Sequence, residues 1–211
     1  MTSNAPPPPV GRVSNVRSEP AAEQNVDVVL GVDPGLTRCG VAIVGGGVTP
    51  ELRHAAVIRT PSDIPLEQRL LALDEALRDV IARHAPTVMA IERILFNANA
   101  RTAMATAQAA GVALLAAARA GLPAQLWSPT AVKLAVAGHG GAAKDAVARM
   151  VAAQLGLAAP PRPADAADAA AVALCHLASA GAPRAAGTAT WDEVIDSRGL
   201  VVRGGTGGTS R

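Results

Sequence analysis

Aromatic side chains are almost missing from this chain. Its 211 residues include one Phe, two Trp and no Tyr: Phe96, Trp127 and Trp191. That excludes RNA-binding modules that stack bases on several rings. It also argues against an all-β sandwich, whose strands favour β-branched and aromatic side chains. Cysteine is equally scarce. Cys39 and Cys175 lie in apolar surroundings without metal-ligand spacing, and they read as buried structural thiols in a reducing compartment. Residues 1–25 hold a PPPP run with Arg12 and Arg17 but no apolar h-region, so they are not a secretory signal. The longest uncharged run, 102–118, is rich in Ala with Thr, Gly and Gln; it is too polar and slightly short for a membrane span. A soluble, cytoplasmic protein is expected.

Lysine is the next scarcity. The chain has 17 Arg but only Lys133 and Lys144. Carboxylates are missing locally: none occurs from 93 to 144, a stretch that carries Arg93, Arg101, Arg119, Lys133, His139 and Lys144. Overall the net charge is only +2, so this local imbalance is more informative than the total. The stretch is a candidate polyanion surface, with an ordinary solvated face as the plain alternative.

What the chain has in abundance is alanine, 48 residues of it, within a hydrophobic half. Small side chains bury little area each, so the helices must pack closely. Residues 1–25 and 181–211 read as a disordered Pro-rich tail and a flexible tail ending in GGTGGTSR, leaving a domain over 26–180. Within it, VDVVLGVD is a strand ending at Asp33, GVAIV (40–44) a second, and 51–59 a third after the Gly45–Gly47 turn. Pro65 opens a helix to about His84, with Leu66, Leu70, Leu73, Leu77 and Ile81 at helical spacing. TVMAIE (87–92) is a wholly apolar strand ending in an acid, which suits a sheet centre covered on both faces. An Ala-rich helix over 99–120, a strand at 124–127, a short helix carrying Lys133 with Ser128-Pro129 as N-cap and N1, and helices at 142–155 and 164–179 follow. This order specifies an α/β sheet with covering helices.

Asp33 and Glu92 each end an apolar strand. A buried lone carboxylate is costly unless it is paired, hydrogen-bonded or bound to a cation. Asp165 and Asp168 share one face at the start of the last helix, where the macrodipole alone would also favour acids. Four converging carboxylates would mostly protonate without compensation, and two divalent cations about 4 Å apart would resolve the repulsion. Oxygen-only ligands favour Mg²⁺ or Mn²⁺, and such a pair suits in-line phosphodiester hydrolysis. Lys133 and Lys144 flank the Gly138–Gly141 loop, where an ammonium can hold a phosphate as a point charge.

Four segments together resemble RuvC-type Holliday-junction resolvases. They are GVDPGLTRCGVAIV (31–44), AIERILFNANARTAMATAQAAGVAL (90–114), SPTAVKLAVAGHGGAAKDAVARMV (128–151) and RPADAADAAAVALCHL (162–177). The resemblance implies an RNase H-like fold, a five-stranded mixed sheet with helices on both faces. It further implies a metal-dependent endonuclease that nicks two strands of a four-way junction symmetrically, acting as a homodimer and partnered by a RuvA–RuvB branch-migration complex. Asp33, Glu92, Asp165 and Asp168 would be catalytic and bind Mg²⁺. Lys133 and Lys144 would contact DNA, joined by Arg93, Phe96, Asn99 and Arg101. The sequence departs from the family where many members carry an aromatic three residues after the Glu. That position is Leu95, with Phe96 next, so either residue is a candidate for opening the junction. The helix 99–120 is a candidate dimer face. The competing reading is another RNase H-like nuclease that processes RNA or cleaves hybrids.

Overall fold

The computed structural model describes residues 27–93 and 100–179, without the side chains of residues 100–102. The two expected tails, Leu95, Phe96, Asn99 and the side chain of Arg101 lie outside the described residues. Ten elements follow in the order β1 (Val28–Asp33), β2 (Arg38–Gly45), β3 (Glu51–Arg59), α1 (Leu66–His84), β4 (Val88–Glu92), α2 (Ala100–Arg119), β5 (Ala124–Trp127), α3 (Pro129–Ala137), α4 (Lys144–Gln154) and α5 (Ala164–Ser179). Strand β2 starts two residues earlier than the apolar pattern suggests, because backbone pairing with β3 extends to Arg38. Helix α3 begins as expected: the Ser128 side chain accepts from the Ala131 N–H at 3.2 Å, and Gly138 closes it in the left-handed conformation at φ 80°. Helix α4 has no side-chain cap on Ala143, so it starts at Lys144, two residues later than expected.

The strands form one mixed sheet in the order β3-β2-β1-β4-β5. β1, β2 and β3 run antiparallel as a meander, while β4 and β5 add parallel to β1 through the crossover helices α1 and α2. Side-chain alternation divides the core into two layers. Leu30, Val32, Val41, Ile43, Met89 and Ile91 pack under Leu73 and Leu77 of α1 and Ala109, Ala113, Ala116 and Ala117 of α2. Val29, Ala42, Val44, Val88 and Ala90 face the opposite layer, built from α3, α4 and α5.

The alanine surplus has its clearest use in α5. Ala166, Ala167, Ala169, Ala170, Ala171 and Ala173 are all buried, and the sheet beneath them is opened by glycine. A Cβ at Gly31 would lie 2.1 Å from the Ala169 carbonyl oxygen, and one at Gly40 would lie 2.0 Å from that of Asp165. No side chain fits at either position without displacing the helix. In α2 the buried alanines occupy one face only; Met104 and Leu115 stay exposed at 64% and 47% on another.

Among the described residues, one arginine of the acid-free stretch is set apart from the two lysines. Arg119, at the end of α2, donates to Asp74 of α1 at 3.0 Å, and Arg78 reaches the same carboxylate oxygen at 3.2 Å. That arginine ties two helices together on the layer opposite α5.

Candidate active site

The strand alternation that builds the core also aims the acids. Val29 and Gly31 face the α5 layer, so Asp33, two residues further on, faces it too. Val88 and Ala90 set the same face for Glu92. In the parallel β1–β4 pair Val32 lies beside Ile91, so Asp33 and Glu92 end neighbouring strands at the same end of the sheet. Above them the first turn of α5 supplies Asp165, and its next turn Asp168.

Asp33, Glu92 and Asp168 line one cleft of about 260 Å³ with Lys133 and Lys144. Pro129 and Val132 of α3, Val147 of α4 and Ala171 of α5 form its apolar walls. The loop between α3 and α4 therefore folds both lysines back onto the carboxylates. Asp165 does not line this cleft. It is held instead by Arg38 at the start of β2, whose Nε donates to its Oδ2 at 2.9 Å and whose Nη2 donates to the same oxygen. Lys144 Nζ lies 2.7 Å from Asp168 Oδ2. Arg93 is exposed just past β4, and its backbone N–H extends the β4–β5 ladder by donating to Trp127 O at 2.7 Å.

The electrostatics follow from this placement. Asp33 is pushed up to about 7, first by burial and then by the charges of Glu92, Asp168 and Asp165, with Lys144 opposing. Burial also raises Glu92, and Asp168 adds to the effect; Lys144, a hydrogen bond with Asp33 and Lys133 pull it back. The Lys144 ammonium holds its proton above the usual lysine range, chiefly through its bond to Asp168. Cys39 and Cys175 are buried, and burial raises their thiols to about 12 and about 11, in keeping with a structural role.

Among the described residues, no three His, Cys, Asp or Glu side chains stand close enough together to hold a metal ion. Arg38 and Lys144 engage Asp165 and Asp168 respectively. The donor set nevertheless suits a hard divalent cation: every donor is a carboxylate oxygen, and burial first, then three neighbouring acids, raise Asp33. A cation among them would relieve the repulsion that now favours protonation.

Arg38 was not singled out from sequence. Its signal was available: counting back from Gly40 by the period of two puts Arg38 on the face of Asp33. The pattern could not show that β2 reaches Arg38, since Cys39 and Arg38 lie before the apolar run.

A mixed five-stranded sheet in this order, with acids on the last rungs of its parallel central strands beneath a closely packed helix, defines an RNase H-like fold. The chain belongs to the family described as "Crossover junction endodeoxyribonuclease RuvC", whose profile matches residues 29–176. The RuvC of Rhodococcus opacus (strain B4) is 55% identical over 152 residues, covering 70% of this chain and 79% of the relative. The Thermus thermophilus RuvC structure superposes with a TM-score of 0.68 at 39% identity, covering 72% of this chain and 95% of that one. A second structure, T. thermophilus RuvC in complex with Holliday junction substrate, gives the same TM-score and identity over 71% of this chain and 92% of that one. The fold and family expected from the four sequence segments are thus borne out.

Proposed function

We propose that this nuclease resolves Holliday junctions by hydrolysing one phosphodiester in each of two symmetry-related strands, with Asp33, Glu92, Asp165 and Asp168 as its metal ligands. One observation carries the assignment of the site. Two acids on neighbouring strand ends share a cleft with a third acid and the chain's only two lysines. Nucleases of this family are metal-dependent, and Mg²⁺, with Mn²⁺ as a substitute, is the cation an all-carboxylate set favours. When bound, the metal supplies Lewis-acid activation of water and stabilises charge on the leaving oxygen.

The chain's own groups perform the remaining tasks. Asp33 and Glu92, fixed by the sheet, provide rigid donors. Lys144 and Lys133 hold the scissile phosphate against the carboxylates that would otherwise repel it. Lys144 exchanges its bond to Asp168 for one to phosphate as DNA enters. Arg93, Phe96, Asn99 and Arg101 contact the strand beside the cleft. Leu95 or Phe96 opens the junction centre; stacking on a ring contributes about 1–3 kcal/mol per base.

A four-way junction has two-fold symmetry, so a C2 homodimer presents matching sites to its two strands. Support comes from α2. Met104 and Leu115 are exposed, and Gly111 between them is exposed with nothing within 4 Å of a Cβ built on it. These positions share one stripe of the helix and permit close approach by a second copy. A RuvA–RuvB branch-migration complex as partner, and the cytoplasm as location, complete the proposal. No described helix is long and apolar enough to cross a membrane.

The test is incubation with Mg²⁺ and a synthetic four-way junction beside linear duplex and RNA–DNA hybrid. Paired symmetric nicks confined to the junction are expected. Comparable cleavage of the hybrid would assign the fold to RNA processing instead. Sedimentation should find a dimer; a monomer at micromolar concentration would remove α2 as an interface.

A further inference from the structure

The cleft accounts for the lysines but not for a group of arginines on the other side of β1. Arg38 of β2 pairs directly with Arg59 of β3 in the antiparallel register. Residues opposite each other in a sheet share a face. Arg59 therefore stands on the face that carries Arg38, Asp33 and Glu92, at the same end of the sheet. Like charges directly opposite each other destabilise a strand pair, so the sheet retains this one at a cost. Arg38 has a counter-charge in Asp165. Arg59 is exposed, and no ion pair among the described residues includes it. The other arginine of β3, Arg53, lies 3.8 Å from Glu51, so strand position alone does not deprive an arginine of a partner.

A third guanidinium joins them. Arg69 of α1 donates to Thr37 Oγ1 at 2.8 Å and to Thr60 Oγ1 at 3.1 Å. Thr60 in turn donates to the Leu36 carbonyl. These bonds brace the turn between Asp33 and Arg38. They leave the Arg69 charge uncompensated, for no described carboxylate pairs with it. This end of the sheet thus carries Arg38 and Arg59 on the face of the acids, with Arg69 reaching it from α1 on the opposite layer; of the three, only Arg38 is paired with a carboxylate among the described residues.

We infer that Arg59, with Arg38 and Arg69, forms a second wall for the DNA backbone, across β1 from the wall made by Lys133 and Lys144. The inference rests on the nuclease reading above. A strand entering the cleft passes the sheet end, and guanidinium forks match phosphate oxygens in geometry as well as charge. The acids between the walls repel the backbone, so cations on both sides hold the strand over the carboxylates rather than to one side of them.

Arg59 is the residue to test, because its side chain has no ion pair among the described residues to lose. Junction binding by the full chain is measured by fluorescence anisotropy with divalent ions chelated, across a salt series. Arg59→Ala is expected to weaken binding about three- to tenfold and to make the slope of log K against log salt shallower by about one. Arg59→Lys should restore the slope. Arg83→Ala, at the end of α1 and paired with Asp79, should match wild type. A cooperative thermal transition at or above the wild-type midpoint confirms that the variants fold. If wild type binds the junction and Arg59→Ala binds with the same affinity and slope, the second wall is refuted while the nuclease reading stands. If wild type shows no binding to the junction, both fall.

Discussion

The three acids of the cleft and Asp165 beside them form two pairs with opposite electrostatic situations. Asp33 and Glu92, on the sheet, are mostly buried, and neither is in an ion pair among the described residues. Asp165 and Asp168, on α5, each have a bonded cation that is itself well exposed, Arg38 at 41% and Lys144 at 67%. The sheet pair is rigid and electrically unsatisfied. The helix pair is satisfied by partners that solvent and ligands can reach. In the proposed mechanism a divalent ion would gain most from Asp33 and Glu92, while Asp165 and Asp168 would join it by exchanging one cation for another. Burial sets this contrast, because desolvation is the leading cause of both raised carboxylates.

The largest expected effect breaks the sheet pair. Asp33→Asn should reduce cleavage by about a thousandfold or more, the scale of losing metal-based charge stabilisation. Junction binding should hold within about twofold, since Asp33 makes no favourable phosphate contact. Nicking assays and anisotropy measure the two, and lost binding with retained turnover would refute the role given to this residue.

Disturbing the helix pair should cost less. Lys144→Ala is expected to lower turnover about ten- to a hundredfold and to remove about one unit of salt slope. An unchanged slope would mean that Lys144 serves only as the counter-ion of Asp168.

A third prediction uses pH to weigh the sheet pair alone. Folded Asp33 keeps its proton to about pH 7, against an ordinary value of 3.8. Between those values the folded chain binds more protons than the unfolded chain. Stability of the metal-free protein should therefore fall as pH rises through that window. Asp33→Asn should flatten the dependence, and Mg²⁺ added above pH 7 should raise the melting temperature. A wild-type profile as flat as that of the variant would remove the contrast between the pairs.

The smallest effect sharpens the comparison from outside. Arg119 belongs to the same acid-free stretch as the lysines but is engaged with Asp74. Arg119→Ala should leave the salt slope of junction binding unchanged and lower only thermal stability, by about 1 kcal/mol.

Much of this was legible in the sequence, and the parts that were not share a cause. Strand ends at Asp33 and Glu92 follow from apolar runs that stop at an acid. The α5 pair follows from three-residue spacing. Charge clustering along the chain, by contrast, does not report layer: Lys133 and Lys144 share the cleft, while Arg119, close to Lys133 in sequence, serves a different layer. Arg38 and Arg59 are 21 residues apart, and only the register of β2 with β3 makes them neighbours. Periodicity reports which face a residue occupies; it does not report which strand lies alongside.

Gly31 and Gly40 give the site its tolerance. Both lie under α5, one beneath the Ala169 carbonyl and the other beneath that of Asp165 itself. A methyl group at either would wedge the helix off the sheet and carry Asp165 and Asp168 away from Asp33 and Glu92 together. The spacing between the two pairs is therefore gauged by empty space rather than by any bond. An error of one carbon atom in that gauge would misalign half of the acids without touching one of them.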